Sequence, residues 1–334
     1  MNWRFWIKPR EEMPATTTPD WERAFINKLA IEHLREQRRA RRWGALFKAL
    51  ILLYLIGLLV AAYSRDLVDR LAPSEDHTAV IDIEGVIAAD TDASADRVIS
   101  ALRDAFEADQ VKGIVLRINS PGGSPVQAGY INDEIERLKA KYKKDKDKEM
   151  PVYAVATDIC ASGGYYIAVA ADAIYADKAS LVGSIGVRIG SFGFEEAIKE
   201  LGIERRLLTA GENKGILDPF SPLPLEQRDF IQTVLDDLHA QFIEEVKTGR
   251  GERLKGGDEL FSGLFWSGRE AVSLGLVDDL GSASSVARDQ IGAETLVDYT
   301  KKRDLFEAFS RRLGASLAAG MLEVLGGIGP IPRY

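Results

Sequence analysis

Two glycine-containing segments of the chain could hold an anion or an oxyanion against backbone N–H groups. The first, Asn119-Ser120-Pro121-Gly122-Gly123-Ser124, directly follows the apolar run 113–118. A strand that turns through Pro-Gly-Gly into a helix exposes N–H groups at the helix N-terminus, where they can bind negative charge. Glycine also lets a substrate backbone approach closely. An ordinary strand-to-helix turn would explain the same residues.

The second segment places a serine in the same kind of turn. Residues 158–166 follow the apolar run 152–156, and Ser162 is followed by two glycines. At this place the Ser162 hydroxyl could act as a nucleophile, with the N–H of Gly163 directed at the developing oxyanion. The segment is not a G-x-S-x-G elbow, because Cys160 replaces the first glycine. A helix N-cap is the alternative role for this serine.

A serine nucleophile needs a general base, and the sequence offers few. None of the histidines lies in a glycine-rich frame; they are His33, His77 and His239. A lysine can serve instead if burial keeps it neutral, which requires a fall from the usual pKa of about 10.4. Lys214 lies in the loop 209–220 between apolar runs, whereas Lys199 and Lys178 lie among polar residues.

Strands and helices alternate through the region that contains these segments. Periodicity predicts strands over 78–83, 113–118 and 152–156. It predicts helices over 96–107, 126–138, 163–171 and 225–246, and a solvated, charge-rich loop over 139–148. This alternation indicates an α/β protein built from βαβ units around a mainly parallel sheet.

Composition excludes several classes of protein. The 334 residues, about two domains' worth of chain, are 46% hydrophobic and 28% charged, which is ordinary for a folded protein. The net charge of −8 argues against a nucleic-acid partner. One cysteine and three histidines exclude a disulfide framework and leave little for a metal centre.

Residues 43–64 are predicted to form a transmembrane helix. Lys48 is their only charge, and 22 helical residues would span about 33 Å, which matches a bilayer core of about 30 Å. The five arginines between residues 35 and 42 favour a cytoplasmic N-terminus, with everything after residue 64 outside. A cleaved signal peptide would have a shorter basic region, and a buried core helix would be shorter and less uniformly apolar.

The flanking regions complete the predicted organisation. Residues 1–42 carry a net charge of +4 and form a partly helical cytoplasmic segment, and residues 65–77 form a tether. Residues 301–334 comprise an amphipathic helix over 304–325 and a Gly/Pro-rich tail. That helix belongs either to the core or a subunit contact, or to a membrane surface.

Six motifs, in order over residues 78–282, resemble the signal peptide peptidase A family of bacterial membrane-anchored Ser/Lys proteases. They are Ile-Glu-Gly85, Ile118-Asn-Ser-Pro-Gly-Gly-Ser124, Ala161-Ser-Gly-Gly-Tyr-Tyr-Ile-Ala168, Gly183-Ser-Ile-Gly-Val187, Gly211-x-x-Lys214-x-x-x-x-Pro219-Phe220, and Trp266-Ser-Gly-Arg-Glu-Ala271 with Gly275-Leu-Val-Asp278. The second motif is also similar to the oxyanion loop of the Clp protease proteolytic subunit.

The resemblance implies a ClpP/crotonase-like peptidase domain over residues 78–300. It implies Ser162 as nucleophile, Lys214 as general base, and the N–H groups of Gly123 and Gly163 as oxyanion donors, with no metal or cofactor. Asn213 departs from the family, which often has an aromatic residue there. Because the chain carries one catalytic unit where some members carry two, we expect a homo-oligomeric ring with active sites at subunit interfaces.

The expected function is that of a serine endopeptidase at the outer face of a bacterial cytoplasmic membrane. Its partners would be the lipid bilayer and peptide substrates, namely remnant signal peptides and other apolar or unfolded peptides. Three alternatives stay open. They are a protease of the same fold for membrane or misfolded envelope proteins, a catalytically silent scaffold, and a crotonase-like acyl-CoA enzyme that would use carboxylates and not need Ser162.

Overall fold

The computed structural model describes residues 21–69 and 75–302, which fall in two compact units of the chain. The predictions for residues 1–20, for residues 70–74 of the tether, and for the C-terminal helix over 304–325 and the tail after it lie outside the described residues.

The first described part is one long helix, α1, Trp21–Asp69. It contains the apolar run predicted to cross a membrane, and the large apolar side chains between Trp43 and Ile56 are exposed. Among the described residues, however, no helix is both long and apolar enough to span a bilayer, so the transmembrane prediction is not confirmed. Residues 65–69, the start of the predicted tether, are helical and continue α1, and the tether itself stays a prediction.

The second described part is an α/β domain around an eight-stranded sheet. Its strands are β1 His77–Glu84, β2 Val111–Ser120, β3 Val152–Ala161, β4 Ala173–Ala176, β5 Leu181–Gly183, β6 Phe265–Ser267, β7 Asp279–Leu280 and β8 Leu296–Asp298. Its helices are α2 Ala95–Glu107, α3 Pro125–Lys146, α4 Gly163–Ala168, α5 Glu195–Glu200, α6 Leu225–Arg250, α7 Gly268–Ser273 and α8 Ala283–Val286.

The sheet is mainly parallel, as predicted. Its order is β6-β5-β3-β2-β1-β8, and only the β5–β6 pair among the described strands is antiparallel. β3 first pairs with β4 and then, from Ile159 to Ala161, with β5. β4 in turn pairs with β7. The change of partner falls between Ala156 and Ile159, and β3 stays paired with β5 up to Ala161, the residue before Ser162.

The main core contains α2, α3 and α4 packed against the central strands. The apolar spacing predicted for α2 is buried at Val98, Leu102 and Ala105, and Ile114, Leu116 and Ile118 are buried residues of β2. Alternate residues of the strands, with two residues of α8, form a smaller second cluster of Val80, Val115, Val155, Ala283 and Val286. The central strands are therefore apolar on both faces, as parallel sheets require.

Several predicted boundaries are wrong. Residues 139–146 are helical rather than loop, since lysines favour the last turn of α3 and Asp147 ends it in a left-handed conformation. β1 begins at His77, which is fully buried rather than part of the tether. α4 ends at Ala168 instead of residue 171, and α6 continues to Arg250.

Candidate active site

Ser162 lies between β3 and α4 in a strained backbone conformation. Its φ of 52° and ψ of −122° are unusual for a residue with a side chain. Two hydrogen bonds hold this conformation: the Ser162 N–H donates to the Gly183 carbonyl at 2.9 Å, and the Tyr166 N–H donates to the Ser162 carbonyl at 2.9 Å. Although Ser162 occupies the N-cap position of α4, its side chain makes no capping hydrogen bond. The half-buried hydroxyl is therefore not used as a cap.

The two predicted oxyanion donors lie next to each other. A Cβ atom on Gly163 would stand 3.3 Å from the amide nitrogen of Gly123. As the first residue of α4, Gly163 has no intrahelical acceptor for its N–H. Within residues 75–302, neither Gly123 nor Gly163 donates its N–H to a protein acceptor. These two donors are thus free to bind an oxygen that carries negative charge.

Gly122 brings the two turns into contact, a role that the sequence analysis did not assign. Its φ is +97°, and a Cβ atom there would lie 2.7 Å from both the amide nitrogen of Gly163 and the Cβ of Ser162. Any side chain would therefore push apart the serine turn and the Pro-Gly-Gly turn. The Pro-Gly-Gly pattern was the available signal, but the partner turn is set by the sheet, where Ser120 pairs with Cys160.

The structure also describes the environments of Cys160, His239 and His77, three reactive side chains of the described residues. Cys160 is fully buried, and burial raises the pKa of its thiol to about 12, so the thiol stays protonated at neutral pH. His239 Nε2 lies 3.2 Å from the carbonyl oxygen of Ile185. His77 hydrogen bonds to Glu75 and Tyr299.

Lys214 lies in a turn of the irregular segment 184–224, and its side chain is exposed. Its N–H donates to the Gly211 carbonyl at 3.1 Å, and the neighbouring Asn213 accepts a hydrogen bond from Gln227 at the start of α6. The described residues contain no hydrogen bond or ion pair of the Lys214 amine. The structure thus brings Ser162, Gly123 and Gly163 together, while the burial expected around Lys214 is absent from the described part of a single chain.

Asp218 stabilises the loop that carries Lys214. It accepts hydrogen bonds from Ser221 at 2.7 Å and from Arg205 at 3.2 Å. These two bonds hold the pKa of the Asp218 carboxyl below its usual range, with the Ser221 bond as the larger cause. The Phe194 N–H also donates to the Pro219 carbonyl at 2.6 Å. The Lys214 loop is therefore fixed at its C-terminal end.

Comparisons with known proteins match the region that contains this site to a family of peptidases. Residues 144–294, which include Ser162 and Lys214, match the model of peptidase family S49. A protein of Methanocaldococcus jannaschii named "Putative protease MJ0651" is 30% identical over 237 residues, which are 69% of this chain and 73% of that protein. An Enterococcus faecium protein named "Putative signal peptide peptidase SppA" is 31% identical, with 66% of this chain and 63% of that protein covered.

A longer protein also matches. The Brucella melitensis protein named Na(+)/H(+) antiporter NhaA is 45% identical over 191 residues, which are 57% of this chain and 25% of that protein. The matched part of the present chain thus corresponds to a quarter of that protein's length.

The family match and the protease-named relatives give the class of the protein, which is a peptidase built on a mainly parallel α/β sheet. The chain belongs to peptidase family S49, the signal peptide peptidase A family that its motifs resemble.

Proposed function

We propose that the chain is a serine endopeptidase in which Ser162 is the nucleophile and Lys214 the general base. The observation that carries this proposal is the arrangement at the end of β3. There an uncapped serine hydroxyl lies beside two backbone N–H groups, of Gly123 and Gly163, that have no protein acceptor within residues 75–302. A nucleophile next to a preorganised oxyanion site is the arrangement that acyl transfer requires.

The proposed reaction has two halves. A neutral Lys214 accepts the Ser162 proton as Oγ attacks a peptide carbonyl, and the Gly123 and Gly163 N–H groups stabilise the resulting oxyanion. The protonated lysine then gives its proton to the leaving amine. Water, deprotonated by the same lysine, attacks the acyl-enzyme and releases the second product, which restores the serine hydroxyl.

We propose that the active chain is a homo-oligomeric ring with its active sites at subunit interfaces. Lys214 needs an apolar cover to stay neutral, and large apolar side chains are exposed on the same segment. They include Ile189, Phe192, Leu201, Ile203, Leu208 and Phe220. An exposed apolar surface of this kind is typical of a protein–protein contact, and a second copy would cover both the surface and the lysine.

We propose apolar and unfolded peptides, remnant signal peptides among them, as substrates. This follows from the expected position of the chain at the outer face of a bacterial cytoplasmic membrane, with the N-terminus cytoplasmic. Support for that position comes from the sequence of residues 43–64, from the arginines before them, and from the exposed apolar side chains of α1. Flotation of the full-length chain with lipid vesicles tests it, and a chain that stays at the bottom of the gradient would contradict it.

A covalent serine probe tests the proposed site. A fluorophosphonate should label full-length protein, and peptide mapping should place the adduct on Ser162 alone. Lys214→Ala should slow labelling by at least about 100-fold, since the hydroxyl loses its base, while Lys199→Ala, a change to an exposed lysine of α5, should label at the wild-type rate. Labelling at another serine, or equal labelling of all variants, would contradict the assignment.

A further inference from the structure

The side chain of Ser120 connects the turn after β1 with the Pro-Gly-Gly turn that contains Gly123. Ser120 is the last residue of β2 and is fully buried. Its hydroxyl donates to the Gly85 carbonyl at 2.6 Å, and its oxygen accepts the Gly122 N–H at 3.1 Å. One buried hydroxyl therefore connects the turn after β1 with the Pro-Gly-Gly turn after β2.

Backbone hydrogen bonds extend this connection as far as Gly123. The Gly85 N–H donates to the Asn119 carbonyl at 2.9 Å, and the Ile87 N–H donates to the Gly122 carbonyl at 2.9 Å. The Ser124 N–H donates to the Ile87 carbonyl at 2.8 Å. Gly123 itself passes so close to Ile87 that a Cβ atom would overlap the Ile87 carbonyl. The Gly123 N–H is thereby left unpaired among the described residues.

A small movement of the Pro-Gly-Gly turn at Gly122 would directly displace the serine turn. Gly122 is in contact with Gly163 and Ser162, since a Cβ atom on Gly122 would lie only 2.7 Å from each of them, and it is the residue whose N–H Ser120 accepts. Without the hydroxyl, the N–H of the buried Gly122 and the carbonyl of the half-buried Gly85 would both lose their partner. A buried polar group without a partner is unfavourable, so the turn would shift until the Gly122 N–H reaches another acceptor.

We propose that Ser120 is a positioning residue for the oxyanion site: its hydroxyl fixes Gly122 so that the Gly123 N–H meets the Gly163 N–H at the developing oxyanion. This inference rests on the proposed peptidase function. Because Ser120 acts through the Pro-Gly-Gly turn and does not touch the substrate, it affects the transition state more than substrate binding.

Ser120→Ala tests the proposal, with Ser180→Ala as a matched control. Ser180 is also a buried serine, and its hydroxyl also joins two backbone segments, through the Asp177 N–H at 3.0 Å and the carbonyls of Ala156 and Thr157. In full-length protein, Ser120→Ala should lower kcat by about 10- to 100-fold and leave KM within about twofold, as expected when one oxyanion donor is misplaced. Ser180→Ala should lose about as much thermal stability as Ser120→Ala. Its kcat should nevertheless stay within about threefold of the wild-type value.

Two further measurements separate a positioning role from general destabilisation. The affinity for a peptide boronate, which places a tetrahedral oxygen in the site, should fall in parallel with kcat/KM in Ser120→Ala and stay unchanged in Ser180→Ala. Ser120→Cys keeps a weak donor and acceptor, so its kcat should lie between those of the wild type and Ser120→Ala. This variant tests the proposal if Ser120→Ala does not fold. Wild-type kcat in either Ser120 variant, or an equal loss in the Ser180 control, would overturn the proposal.

Amide hydrogen exchange distinguishes the failure of this inference from failure of the proposed function. Ser120→Ala should speed exchange of the Gly122 N–H by at least about tenfold whether or not the chain cleaves peptides. Unchanged exchange overturns the positioning role directly. If instead the wild type cleaves no peptide, or Ser162→Ala cleaves as fast as wild type, it is the proposed function that fails.

Discussion

At the scale of single residues, the candidate site depends on backbone geometry that few side chains tolerate. Ser162 keeps a positive φ although it has a side chain, and such a conformation costs about 1–3 kcal/mol. The hydrogen bond to Gly183 and the first turn of α4 hold it in place. Strain of this kind at an uncapped serine fits a role in exposing the hydroxyl rather than in starting the helix.

Gly122→Ala should abolish peptidase activity. The added Cβ would lie 2.7 Å from the Gly163 nitrogen and the Ser162 Cβ at a φ that disfavours alanine, so the serine turn and the oxyanion turn must separate. We expect kcat/KM to fall by at least about 100-fold, measured on a fluorogenic peptide.

Gly129→Ala provides the control for this change. Gly129 lies in α3, and a Cβ there would meet no atom within 4 Å. Alanine should therefore stabilise the helix by about 0.5–1 kcal/mol in a denaturant titration and leave activity unchanged. Equal activity in Gly122→Ala and Gly129→Ala would show that the two turns need not touch.

At the scale of elements, a buried carboxylate connects two helices of the main core. Glu134 of α3 is nearly buried and accepts hydrogen bonds from Arg137 at 2.6 Å and from Arg103 of α2 at 2.7 Å. The Arg137 hydrogen bond is the largest cause that lowers the pKa of Glu134, and Arg103 adds to it. Together they outweigh burial and bring the pKa to about 2.

This lowered pKa predicts a defined loss of stability in acid. Because the pKa is about 2 in the folded protein against an ordinary 4.5, the carboxylate stabilises the fold fully above about pH 4.5. That contribution should disappear as the pH falls from 4.5 toward 2.

In urea titrations, Glu134→Gln should be less stable than wild type at pH 7, and the difference should shrink by pH 3. Glu136→Gln, at an exposed neighbour, should show little difference at either pH, and a constant gap for Glu134→Gln would refute the assignment.

Helices and strands could be predicted from the sequence where apolar residues recur at a clear period. They were predicted less well where tertiary contacts determine the local structure. The apolar runs within β2 and β3 and the spacing of α2 are strong local signals, so these elements were predicted correctly. The charged end of α3 was predicted as loop because a run of lysines and acids is equally compatible with a solvated helix. Apart from the short helix α5, the segment 184–224 is irregular, and its structure depends on contacts such as that of Arg205 with Asp218.

The candidate site likewise contains features that local sequence predicts and features that depend on tertiary contacts. Ser162 and the Pro-Gly-Gly turn could be recognised from residue types after apolar runs. The approach of Gly122 to Gly163 could not, because it depends on the register of β2 with β3, which local sequence does not determine. The surroundings of Lys214 stay a prediction, since one chain leaves that side chain exposed.

At the scale of the whole molecule, the proposed association rests on apolar side chains of residues 185–234 that no described residue covers. The apolar stripe of α6 is buried at Phe242 and Val246 but exposed at Phe230 and Val234, and Leu208 is 97% exposed. Because the apolar stripe of α6 is buried in the C-terminal half of the helix and exposed in the N-terminal half, we expect the N-terminal half to pack against another molecule.

We therefore predict that full-length protein sediments as a homo-oligomer. The double change Phe192→Ser with Leu208→Ser should dissociate it and lower kcat/KM by at least about tenfold, with circular dichroism unchanged. Leu280→Ser, at an exposed leucine outside the segment, should change neither property. An active wild-type monomer would contradict both the ring and the need for a neighbouring copy at Lys214.

The central claim is that Ser162 and Lys214 cleave peptide bonds. The most direct measurement is digestion of an unfolded protein and of a synthetic signal peptide by purified full-length chain, with wild type, Ser162→Ala and Lys214→Ala compared at equal concentration and oligomeric state. We predict cleavage by wild type, none by Ser162→Ala, and a loss of at least about 1,000-fold in Lys214→Ala. Cleavage by Ser162→Ala at the wild-type rate, or no cleavage by a folded, oligomeric wild type, would contradict the claim, and the second result would favour a catalytically silent scaffold.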